Sequence, residues 1–93
     1  MEEKFIAVWA DCREKAAKLG VRMRPVIPEE AMRSAHRLLS GSKLSDGFDQ
    51  LADLDKLSLT LEALAVDKRF TGLFSDEEAN EALMRLLSAG YRF

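Results

Sequence analysis

Apolar side chains return at three- and four-residue steps along almost every long stretch of this chain, the spacing of a stripe on an α-helix rather than the alternation of a strand. Phe5, Val8, Trp9, Cys12, Ala16 and Leu19 form the first stripe, and Gly20 supplies the residue that most readily takes a left-handed helix cap. The spacing predicts a helix over residues 3–19. The segment VRMRPVIP follows, and its two prolines and β-branched residues predict an extended connection.

Pro28 suits the first turn of a second helix over 28–39, because its missing N–H would have no partner there, and Glu29 and Glu30 favour the positive end of the helix dipole. Ala31, Met32, Ala35, Leu38 and Leu39 face inward, and SGSK ends the helix. From Leu44 to Val66 one long helix satisfies the pattern, but Ser58 and Thr60 offer hydroxyl caps, so two helices, 46–56 and 59–68, are expected. Leu57, Leu59 and Leu61 also alternate, yet a lone strand would have nothing to pair with. Ser75 and Glu78 form a capping box, which starts a last helix whose inner stripe is Ala79, Ala82, Leu83, Leu86 and Leu87 and which stops at Gly90. Between these helices DKRFTGLF places Phe70, Leu73 and Phe74 in a connection, with Gly72 expected to let the chain turn sharply. Phe74 precedes the capping serine, where an apolar residue packs back as a staple, so Phe70 and Phe74 are expected to plug the core rather than to hook a partner.

At 93 residues the chain makes one domain, and with 47% of its residues hydrophobic it is too apolar to be disordered. The expected fold is all-α, a compact single-domain bundle of four to five short helices with Phe5, Trp9, Leu38, Phe48, Leu51, Leu61, Leu64, Phe70, Phe74, Leu83 and Leu86 in its core. No apolar run approaches the roughly 18 residues of a membrane span, and charges interrupt the N-terminus where a signal peptide would be apolar, so a cytoplasmic protein is expected. A single Cys12 forms no internal disulfide and builds no cysteine zinc site.

The chemistry of catalysis finds few of its parts. Ser or Cys nucleophiles need a neighbouring base, and the one histidine, His36, lies on the flank of an amphipathic helix. Asp46, Asp49, Asp53 and Asp55 invite a metal reading, but DGFDQLADLDK has its glycine second and apolar residues where calcium ligands should fall. The isolated glycines make neither a phosphate loop nor a dinucleotide fingerprint, and carboxylate pairs such as Glu77 with Glu81 lack an apolar pocket. No enzyme, metal or cofactor is expected.

Charge divides the chain. Residues 1–40 carry eight Lys/Arg against six Asp/Glu, and residues 41–93 carry six against ten, so the halves stand at +2 and −4. Lys18, Arg22, Arg24, Arg33 and Arg37 are candidates for one basic patch, suited to phosphates or an acidic protein. Asp46, Asp49, Asp53, Asp76 and Glu77, with Glu81, are candidates for an acidic face that meets a basic protein, although helix dipoles account for several of them. The expected function is a non-enzymatic protein-binding module, an adaptor or inhibitor of a larger bacterial or phage-related protein. The alternative is a nucleic-acid-binding regulator using the basic patch, disfavoured for the last helix by its four acidic residues against Arg85. A third reading is a homodimer that buries Phe70–Phe74 or the tail Tyr91–Phe93.

Overall fold

The computed structural model of the protein describes residues 1–41 and 43–91. Five α-helices account for most of it: α1 (Glu2–Lys18), α2 (Ala31–Ser40), α3 (Phe48–Asp53), α4 (Leu61–Ala65) and α5 (Asp76–Ser88), with 3-10 turns at Leu57–Leu59 and Lys68–Leu73. The fold is all-α, and the described residues contain no strand. Its radius of gyration is 11.9 Å, against about 12 Å for a compact chain of this length. Among the described residues no helix is long and apolar enough to cross a membrane.

How the helices end explains where they end. After α1, Val21 N–H donates to the Ala16 carbonyl and Gly20 N–H to that of Ala17, with Gly20 at φ +86°. This is the double bond of a Schellman motif, and Val21 packs on Ala16 as the motif requires. Tyr91 and Gly90 repeat it on Leu86 and Leu87 after α5. At α3 the left-handed position falls on Asp55 (φ 59°), with Lys56 N–H donating to the Leu51 carbonyl at 2.7 Å. The helix expected over 46–56 therefore closes at Asp53, because the chain reverses its handedness two residues later.

Other boundaries move for similarly local reasons. Pro28 does not open α2; Ile27 O accepts from Glu30 N at 2.9 Å, so Pro28 and Glu29 occupy the centre of a β-turn and the helix begins at Ala31. The segment expected as one helix over 59–68 is a 3-10 turn followed by α4, and Thr60 is the hinge. Its hydroxyl donates to Leu57 O (2.7 Å) and accepts from Ala63 N (3.1 Å), capping α4. The capping box of Ser75 and Glu78 forms as expected. Gly72 is not a left-handed turn; it lies within the 3-10 segment, and Met1 packs near it.

Aromatic packing settles the place of the DKRFTGLF stretch. Phe5 is fully buried with its ring 5.4 Å from both Phe70 and Phe74, edge-on in each case, and 5.6 Å from Trp9. Phe70 and Phe74 are core. Around them close Ala31, Ala35 and Leu39 of α2, Leu61, Leu64 and Ala65 of α4, and Ala82 of α5. The small residues let the helices approach closely. Two smaller clusters extend the core, Ala16 with Val21 and Leu51, and Phe48 with Leu57 and Leu86. Leu38 and Leu83, expected in the core, are only half-buried; Leu38 packs against the main cluster and also lines a surface groove.

Candidate recognition groove

The extended connection between α1 and α2 is held at several points along its length. Arg13 of α1 donates through Nε to the Met23 carbonyl at 3.1 Å. The backbone N–H of Arg24 donates to Asp46 Oδ2 at 3.2 Å, and the Arg24 guanidinium lies 3.5 Å from the same oxygen. Val21 is buried beside Gly47, which sits at φ +76°; a Cβ there would stand 2.7 Å from the Val21 side chain. Residues 21–27 are thus strung between α1 and the loop before α3, with no helix, strand or turn among them.

A groove of about 320 Å³ opens where this connection crosses α1 and α2. Its floor is Trp9, Met23, Val26, Ile27 and Leu38. Trp9 is 8% exposed and Ile27 48%, so the floor shades from core into surface. Glu30, Ser34 and Arg37 edge it from α2, while Arg24 and Asp46 edge it from the opposite side. By helical spacing Arg33 lies one turn from Arg37, but it is not among the residues that line the groove.

The basic residues picked out by the sequence are all exposed, and two of them, Arg24 and Arg37, meet at this groove. Arg22 lies on a neighbouring hollow with Arg13, Ala17 and Met23, and Lys18 closes α1. The acidic residues do not gather on one face. Asp46 joins the basic groove through Arg24; Asp49 shares a notch with Leu44, Phe48, Glu81 and Met84; Asp53 ends α3; Asp76 and Glu77 open α5. Asp55 serves as the helix stop already described.

A larger hollow of about 510 Å³ lies at the start of α5, lined by Leu39, Ser40, Gly41, Ser75, Glu77, Glu78 and Glu81. Its principal polar groups are already in use. Glu78 Oε1 accepts from Ser75 N at 2.8 Å, and its Oε2 lies 2.6 Å from His36 Nδ1. Burial pushes the Glu78 carboxyl upward, but the Ser75 N–H and His36 outweigh it and hold the group below its ordinary range. The His36 ring also rests 5.4 Å from Phe74. Among the described residues no three His, Cys, Asp or Glu side chains gather closely enough to hold a metal ion.

The most heavily bonded polar cluster escaped sequence reasoning. Glu62 is fully buried and Arg85 is 7% exposed. Arg85 Nη1 meets Glu62 Oε2 at 3.1 Å, its Nε meets Glu81 at 2.8 Å, and its Nη2 donates to the carbonyls of Leu38 (3.2 Å) and Gly41 (2.8 Å). Ser45 closes the ring by donating its N–H and hydroxyl to the two Glu62 oxygens. The guanidinium thereby ties the end of α2 to α4 and α5, and Glu62 fixes the loop that carries Asp46. One signal was available: Glu62 lies within the otherwise apolar run LEALA, and Arg85 falls one turn from Ala82 on the inner flank of its helix. Every polar group in the cluster is satisfied, so it reads as a scaffold for the groove. No protein-family model, curated protein or solved structure matches the chain.

Proposed function

We propose that the protein is a non-enzymatic binding module, an adaptor or an inhibitor, that receives part of another protein in the groove between the 21–27 connection and α2. The observation that carries this reading is a concave apolar floor in which exposed Ile27 and half-buried Met23 lead down to the buried Trp9, between Arg24 and Arg37. Tryptophan, methionine and arginine are the residues that protein interfaces concentrate, and an apolar floor rimmed by polar groups is their usual anatomy.

The five basic residues suit a nucleic-acid backbone less well. Arg24 is paired with Asp46, and Glu30 stands on the same rim as Arg37, whereas phosphate tracking requires a run of unspent cations. The test is a paired capture from the native host, using wild type, Ile27→Glu and Met84→Glu. Ile27 and Met84 are both exposed apolar residues, so neither change disturbs the core. The wild type and Met84→Glu should retain the same partner while Ile27→Glu loses it. Loss with Met84→Glu and retention with Ile27→Glu would move the site to the α5 notch, and binding to duplex DNA that collapses with salt would favour the regulator.

A further inference from the structure

We infer that the hollow between α1 and the start of the connection is a second binding site, which takes the phosphoryl group of a phosphomonoester between Arg13 and Arg22. It is independent of the groove reading, although Met23 lines both the hollow and the groove. The hollow encloses about 280 Å³ and is lined by Arg13, Ala17, Arg22 and Met23, two guanidinium groups with no carboxylate. Elsewhere the arginines at concave surfaces are balanced. Glu30 and Asp46 stand with Arg24 and Arg37 in the groove, and Glu81 bonds Arg85 in the α5 notch.

Arg13 is held in place for this. Its Nε donates to the Met23 carbonyl at 3.1 Å, which fixes the guanidinium and leaves Nη1 and Nη2 to donate elsewhere. Among the described residues neither nitrogen has an acceptor, and the Arg22 side chain has no hydrogen bond or ion pair. The positions one turn from Arg13 on α1 are Trp9, Ala10, Ala16 and Ala17, so its own helix offers it no carboxylate. Guanidinium groups stay protonated, so two like charges share the hollow until an anion enters. Arginine grips phosphate through paired hydrogen bonds, and a phosphomonoester carries about −1.5 to −2 at pH 7, a match for two guanidinium groups where a carboxylate or phosphodiester brings a single charge. The carbonyl end of α1 opposes an anion with only roughly half a unit of negative charge, and its Ala16 and Ala17 carbonyls already accept from Leu19, Gly20 and Val21. Ala17 and Met23 give the ester's carbon an apolar wall. A hollow of this size holds the phosphoryl group and the first atoms of what bears it, whether a phosphorylated side chain or a small phosphate ester.

Amide NMR of the full chain at fixed ionic strength tests this, with phenyl phosphate, dimethyl phosphate and a short capped peptide carrying phosphotyrosine or plain tyrosine as probes. Phenyl phosphate should shift the signals of residues 13–23 and the Arg13 Nε–H saturably, and dimethyl phosphate should bind about tenfold more weakly or worse. Arg22 and Lys18 are both exposed, so neither change below disturbs the core. Arg22→Gln should weaken phenyl phosphate by about tenfold or more, whereas Lys18→Gln, which removes a charge outside the lining, should leave it within about twofold. A phosphopeptide that binds more tightly than phenyl phosphate, with the tyrosine peptide silent, identifies a phosphorylated side chain as the source; equal or weaker binding identifies a small ester. Equal losses from the two variants would reveal a diffuse positive potential and overturn the site. Dimethyl phosphate binding as tightly as phenyl phosphate, or no saturable shift from phenyl phosphate, would overturn it too.

Discussion

Single residues show where the sequence was legible and where it was not. Glu62 and Arg85 lie 23 positions apart, and no local pattern announces that two charged side chains will be buried against each other. Removing one partner of a buried pair costs roughly 3 to 5 kcal/mol, because the other charge is left without compensation. Arg85→Met should lose that much stability in urea denaturation, the more so because the Leu38 and Gly41 carbonyls lose their donor. A loss below about 1 kcal/mol would mean that the cluster is not the scaffold described. Asp55 gives the opposite sign. A side chain in the left-handed region costs about 1 to 2 kcal/mol relative to glycine, and among the described residues no side-chain hydrogen bond of Asp55 offsets it. Asp55→Gly should raise the urea midpoint, reduced only by the extra freedom glycine gives the unfolded chain.

At the scale of elements, caps and periodicity were readable because they depend on neighbours three or four residues away. The stripe of α1 as far as Ala16, the box at Ser75 and Glu78 and the hydroxyl cap at Thr60 form as their spacing predicts, whereas Leu19, expected to extend the stripe, is exposed beyond the helix. The start of α2 and the stop of α3 were not readable, since a β-turn at Pro28 and a left-handed Asp55 need tertiary contacts to choose among allowed conformations. The α5 cap also makes stability depend on pH. Glu78 is held below its usual range in the folded chain, so its contribution is complete above the unfolded value of about 4.3 and is lost as pH falls through the folded value. Glu78→Gln keeps an amide oxygen for the Ser75 N–H but cannot ionise. Between about pH 7 and pH 3 the wild type should therefore lose more stability than the variant, as urea titrations at each pH would report. Parallel acid limbs in the two proteins would contradict this account of Glu78.

Across the whole molecule, the apolar stripes announced an all-helical core, and Phe5, Trp9, Phe70 and Phe74 meet at its centre. Phe70 is fully buried, so Phe70→Ala should cost about 3 to 5 kcal/mol, a large share of the roughly 5 to 15 kcal/mol that holds a domain together. Calorimetry would show it as a sharply lowered melting temperature or no cooperative transition. The groove was only half legible. Its arginines stood out as candidates for one basic patch, but its floor depends on half-buried Leu38 and on the connection lying across Trp9, which only the assembled helices bring about. The central claim is that this groove is where the protein meets its partner. Backbone amide exchange, measured on the full chain alone and in complex with the protein it captures, tests that most directly. The account predicts new protection concentrated over residues 21–28 and along α2 from Glu30 to Leu38. Protection confined to residues 43–50 and α5, with the groove unchanged, would contradict it.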